Sequence, residues 1–139
     1  MNDQIKYRKG YKYQLAEDYK IQTGIIGYSI ETGFLQLFLS GVLKIKSGYA
    51  WDGPSGPAID TLNFMRGSLV HDAIYELIRK GLIAKLERKI ADDLLKQICI
   101  EDGMSETRAG YAYKAVRAFA SFAAESENKK EIITAPGEL

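Results

Sequence analysis

What most constrains this chain is a change in the period of its apolar residues on either side of one glycine- and proline-rich segment. Residues 48–57 contain Gly48, Gly53, Pro54, Gly56 and Pro57. Proline fixes φ and removes a backbone donor, and glycine favours turns, so neither regular element is expected to run through that stretch. Before it the apolar residues alternate. Tyr11, Tyr13 and Leu15 are separated by polar neighbours, as are Tyr19 and Ile21, the period of half-buried strand. Residues 24–30 are rich in β-branched side chains and precede the turn-prone Glu31-Thr32-Gly33. Phe34 to Leu39 form a tighter apolar run, and Ser40-Gly41 offer a hairpin turn into Val42-Leu43-Lys44-Ile45. Short strands in such close succession leave no room for crossover helices, so antiparallel pairing is expected.

After the segment the period lengthens. Leu69, Val70, Ala73, Ile74, Leu77 and Ile78 make one helical stripe, beginning near Ser68 and ended by Gly81. Leu86, Ile90, Ala91, Leu94, Leu95 and Ile98 make a second, stopping near Gly103. Ser105 and Thr107 are candidate caps for a third helix through Tyr113, Val116 and Phe119 to about Ala124. The expected fold class is α+β: N-terminal antiparallel β-strands followed by three α-helices, the first two paired antiparallel through a short connection. Residues 1–124 are expected to form one domain, and residues 125–139, charged and then Pro/Gly-containing, a flexible tail.

Composition narrows the function classes. Nineteen basic and 18 acidic residues leave a net charge of +1, without the basic excess of a nucleic-acid binder. Cys99 is the only cysteine, so no intramolecular disulfide can form. Its place among apolar helical residues suits a buried, inert thiol. The first ten residues are polar, and no apolar run approaches the ~20 residues of a membrane span. Neither a signal peptide nor a transmembrane segment is therefore expected. The expected location is a reducing cytoplasm, or a particle assembled there. The third helix carries Lys114 and Arg117 among aromatic residues, too few cations for a membrane-surface helix, and reads as a core helix.

The only histidine, His71, is followed by Asp72. On the first helix His71, Asp72, Tyr75 and Arg79 project away from the centre of the apolar stripe, with His71 and Tyr75 one turn apart. Antiparallel pairing of the first two helices brings Asp92 roughly level with His71, whereas Asp93 reads as a solvated charge. A carboxylate at that place fixes the imidazole tautomer and stabilises the imidazolium. The glycine- and proline-rich loop lies just upstream. Its carbonyls, with the Asp72 carboxylate, are oxygen ligands of the kind that hard cations take, but a loop that only turns the chain from sheet to helix explains the glycines equally well.

The constellation of that loop, Arg66, His71-Asp72-x-x-Tyr75 and Ala91-Asp92 resembles the active-site core of the phospholipase A-two superfamily, most closely its disulfide-free version in parvovirus capsid proteins. The resemblance spans residues 49–93. It implies a catalytic set of His71 as general base, Asp92 as its orienting partner and Tyr75 bracing Asp92. It further implies a calcium ion held by Asp72 with backbone oxygens among Gly53, Ser55 and Gly56. The stretch Tyr49-Ala50-Trp51-Asp52-Gly53-Pro54-Ser55-Gly56-Pro57, with His71-Asp72 and Ala91-Asp92, also resembles a family of small uncharacterised phage and prophage proteins, over most of residues 42–120. Two functions of different class follow. One is calcium-assisted hydrolysis of an ester or phospholipid substrate. The other is a non-enzymatic phage component, either a virion structural protein with virion partners or a small-ligand binding module.

Overall fold

The computed structural model describes residues 4–9, 13–53 and 61–127, with side chains described as far as residue 118. Among the described residues, seven short strands precede three helices. The strands are β1 (Tyr7–Arg8), β2 (Tyr13–Leu15), β3 (Tyr19–Gln22), β4 (Ile30–Glu31), β5 (Leu35–Leu37), β6 (Val42–Ile45) and β7 (Ala50–Trp51). The helices are α1 (Leu62–Arg79), α2 (Arg88–Glu101) and α3 (Glu106–Glu127), and a single 3₁₀ turn, Lys85–Glu87, leads into α2. The α+β architecture is therefore the one expected.

The strands form two antiparallel sheets, in the orders β1-β2-β7 and β3-β6-β5-β4. Alternation places Tyr13, Leu15, Tyr19, Ile21, Leu35, Leu37, Leu43 and Ile45 inward, with polar residues between them outward. β5 and β6 are joined at the expected Ser40-Gly41 turn, where Phe38 N–H donates to the Val42 carbonyl at 2.9 Å. The expected strand over residues 24–30 does not form. Gly24 and Gly27 both adopt positive φ, +79° and +87°, which no strand accommodates, so pairing starts only at Ile30. Conversely, the glycine- and proline-rich segment is not wholly irregular. Ala50–Trp51 forms β7 against β2, because Trp51 is an aromatic anchor packed beside Tyr13 and Tyr7. The expected strand residue Tyr11 lies outside the described residues.

α1 begins at Leu62, six positions before Ser68; Leu62 is exposed and no side chain caps the Thr61 end. It is enclosed on almost every side: 13 of its 18 residues are buried. One apolar core joins both sheets to α1 and α2, and a smaller one, Phe64, Leu95, Cys99, Met104 and Ala109, seats α3. α2 returns antiparallel along α1, and Gly67 is a point of close approach. A Cβ there would stand 3.0 Å from both Cys99 Sγ and Leu95 Cδ1, so the absent side chain lets the two helices meet one turn before His71. Arg66 is buried beside it and ties α1 to Asp102, Glu101 and the Tyr19 hydroxyl at 2.9–3.1 Å. Ser105 Oγ caps α3 as expected by accepting from Arg108 N–H. The helix runs to Glu127, three residues beyond the expected end, and the rest of the expected tail lies outside the described residues.

Candidate functional site

His71 lies beside the apolar stripe, on the face of α1 that meets α2. It is 8% exposed. The helix is flanked by sheet on one side and α2 on the other, so residues off the centre of the stripe become interior as well. Asp92, one helix away, is 0% exposed, and its Oδ1 stands 2.7 Å from His71 Nε2. The antiparallel pairing read from the sequence thus brings together the two residues it placed level.

Asp92 is hydrogen-bonded through both oxygens. Tyr75 donates its hydroxyl to Oδ1 at 2.9 Å, and Arg117 donates from Nη1 to Oδ2 at 2.8 Å. Burial alone would push the Asp92 carboxyl up, but hydrogen bonds from His71 and Arg117 outweigh it and hold the group below the usual carboxylate range. An ionised carboxylate has no proton to donate. The Nε2 position must therefore carry the hydrogen, and a neutral His71 ring has its free lone pair on Nδ1. Tyr75 also stacks on the imidazole, ring centroids 4.3 Å apart and planes 28° apart, which blocks rotation of the ring out of that plane.

Asp72 occupies the Nδ1 side, its Oδ1 4.0 Å from that nitrogen, with 34% of its side chain exposed. Burial would lower the imidazole's proton affinity, yet the Asp72 and Asp92 carboxylates overcome it, and the His71 pKa is raised above 6.5. Asp72 itself is pushed up, by desolvation first and also by the neighbouring charge of Asp52. The loop reaches this point through Trp51, whose indole N–H donates to Ser68 Oγ at 3.1 Å. Ser68 is one turn before Asp72, and the charge of Asp52, just past β7, is felt at Asp72. Gly53 adopts φ +83° beneath the Tyr13 ring, where a Cβ would strike the aromatic carbons. Ser55 and Gly56, the other two expected calcium-site residues, lie outside the described residues. Asp93 is exposed and pairs with Lys89 at 3.0 Å, as a solvated charge should.

Two participants escaped the sequence reading. Arg117 is 25 residues from Asp92 on a helix read only as core, and its spacing carries no signal until α3 is docked. Asp52 was visible within the loop, and only the Trp51–Ser68 bond shows which way it is carried. Among the described residues there is no group of three or more His, Cys, Asp or Glu side chains placed to hold a metal ion. Among them, too, no helix is long and apolar enough to cross a membrane. Comparisons with family models, with curated proteins and with solved structures find no match for this chain.

Proposed function

We propose that the protein is a hydrolase of ester bonds, phospholipid esters among them, in which His71 activates water as a general base. The observation that carries this reading is the 2.7 Å contact between His71 Nε2 and the buried, ionised Asp92, which leaves Nδ1 as the proton acceptor. A water hydrogen-bonded to Nδ1 attacks the ester carbonyl carbon, and its proton passes to Nδ1. Asp92 stabilises the resulting imidazolium without itself becoming protonated. The tetrahedral intermediate then collapses. The bond from carbon to the leaving oxygen breaks, and the Nδ1 proton goes to that oxygen, giving a carboxylic acid and an alcohol. No acyl-enzyme forms.

The donor chemistry beside Nδ1 suits a hard cation. Asp72 and Asp52 are oxygen donors close enough for the charge of one to raise the pKa of the other, and a cation would relieve that repulsion. Asp72 is the carboxylate that would hold calcium, with backbone oxygens from Gly53, Ser55 and Gly56. When bound, calcium would polarise the ester carbonyl. A phage origin and action in the host cytoplasm or an assembled virion are carried by the sequence resemblance alone.

A second reading has one observation in its favour. His71 and Tyr75 on α1, Asp92 on α2 and Arg117 on α3 tie all three helices together, as a purely structural brace in a virion component or ligand-binding module would. Fatty-acid release from short-chain diacyl phospholipids and from simple esters, with calcium and with chelator, separates the two. The hydrolase reading expects turnover that falls about 10² to 10⁴-fold in a folded His71→Ala variant. Wild-type protein with no turnover on either substrate class in calcium overturns it and leaves the brace.

A further inference from the structure

We infer that Arg117 is a positioning residue, delivered by α3, that fixes which nitrogen of His71 carries the proton. The inference rests on the hydrolase reading, but its test observes the ring itself, so either can fail without the other.

Both bonds at Asp92 Oδ1, from His71 and Tyr75, come from α1, whereas the hydrogen bond at Oδ2 comes from Arg117 alone. Among the described residues every buried side-chain nitrogen and oxygen has a partner, so removal of Arg117 orphans one oxygen of a carboxylate with 0% exposure. A buried carboxylate in that state has two ways out: it turns its plane toward other donors, or it takes up a proton. Either change disturbs the geometry at Oδ1. A protonated Asp92 donates to Nε2 instead of accepting from it, the ring hydrogen moves to Nδ1, and the lone pair facing Asp72 disappears. Arg117 therefore acts through Asp92 on the imidazole without touching it.

The seating of α3 makes this dependence physical. Met104 and Ala109 are buried against Phe64, Leu95 and Cys99, and Val116, the neighbour of Arg117, packs partly against the same cluster. Those contacts fix the depth at which the guanidinium arrives. Arg88, on α2, provides the control. Its charge acts on the Tyr75 hydroxyl in the same direction as that of Arg117, yet it makes no hydrogen bond to Asp92. General electrostatics and positioning thus make different forecasts for the two arginines.

His71 is the only histidine, so ¹⁵N labelling of histidine gives a two-nitrogen spectrum belonging to one residue. At alkaline pH, where the ring is neutral, the wild-type full chain is expected to show hydrogen on Nε2. Arg117→Met is expected to populate the Nδ1–H form, Arg117→Lys to restore the wild-type pattern, and Arg88→Met to leave it unchanged. Hydrolysis should fall about 10²-fold or more in Arg117→Met and recover substantially in Arg117→Lys. A folded Arg117→Met variant with the wild-type tautomer overturns the inference. Should that variant not fold, Arg117→Leu, which likewise removes the donor and the charge, carries the same comparison. A wild-type ring with hydrogen on Nδ1 overturns the inference whatever the variants do.

Discussion

Replacing Asp92 by asparagine removes one charge while keeping the side chain's shape, and its effects follow atom by atom. The carboxylate accepts from His71 Nε2 and Tyr75 OH at Oδ1 and from Arg117 Nη1 at Oδ2. An amide offers one oxygen and one NH₂ group. With its oxygen in the Oδ1 position, it keeps the His71 and Tyr75 bonds but turns a donor toward the Arg117 donor. Flipped over, it keeps Arg117 and forces the imidazole to accept at Nε2, which is the wrong tautomer for a base at Nδ1. A hydrogen bond to a charged group contributes about 1.5 to 3 kcal/mol. Arg117 is 36% exposed and can swing into water, so the cost falls in the lower part of that range, about 2 kcal/mol. For a chain of 139 residues this lowers Tm by about 7 °C in scanning calorimetry. Hydrolysis should fall much further, about 10²-fold or more, because the imidazolium loses its counter-charge. An Asp92→Asn variant that melts within about 1 °C of wild type and keeps full turnover would refute the reasoning.

Base catalysis needs neutral His71, whose pKa is raised, so kcat/KM should climb with pH along a limb centred above 6.5; a limb at or below that value contradicts the pairing. For the same reason the charged pair stabilises the fold below pH 6.5 and loses that contribution as pH rises through the folded pKa. Wild type should therefore exceed His71→Gln in denaturant midpoint by more at about pH 5.5 than at about pH 9. Cys99 is buried and its thiol is pushed up to about 12, so thiol reagents should label the native chain only as fast as it unfolds; rapid labelling of folded protein would show the α2–α3 core to be open. Gly53→Ala should destabilise by about 1 to 3 kcal/mol in chemical denaturation, combining positive φ with a clash on Tyr13, and a neutral result would mean that the loop leaves β7 along another path.

Much of the architecture was legible because it depends on periods. Tyr19, Ile21, Leu43 and Ile45 alternate, pair across β3 and β6 and are buried, and the stripes at residues 69–78 and 86–98 fall within or just before α1 and α2. The His71–Asp92 pairing followed from two stripes joined by a short turn. What failed was local. β-branched side chains at residues 25–30 favoured a strand, while the backbone at Gly24 and Gly27 decided otherwise. Trp51 formed a strand in a segment dominated by turn formers, since the packing of one large aromatic ring outweighed its neighbours. The depth of His71's burial carries no signal of its own, because a stripe records one apolar face, whereas α1 is covered on several. Arg117 could not be read at all, as its contact with Asp92 depends on the depth and rotation with which α3 docks.

Base catalysis at His71 requires an imidazole bound through Nε2 to a buried, ionised carboxylate, and a ¹H NMR titration of the one histidine measures that pairing directly. The wild-type ring should titrate above 6.5 and move downward in Asp92→Asn. A ring that titrates at 6.5 in both proteins would contradict it.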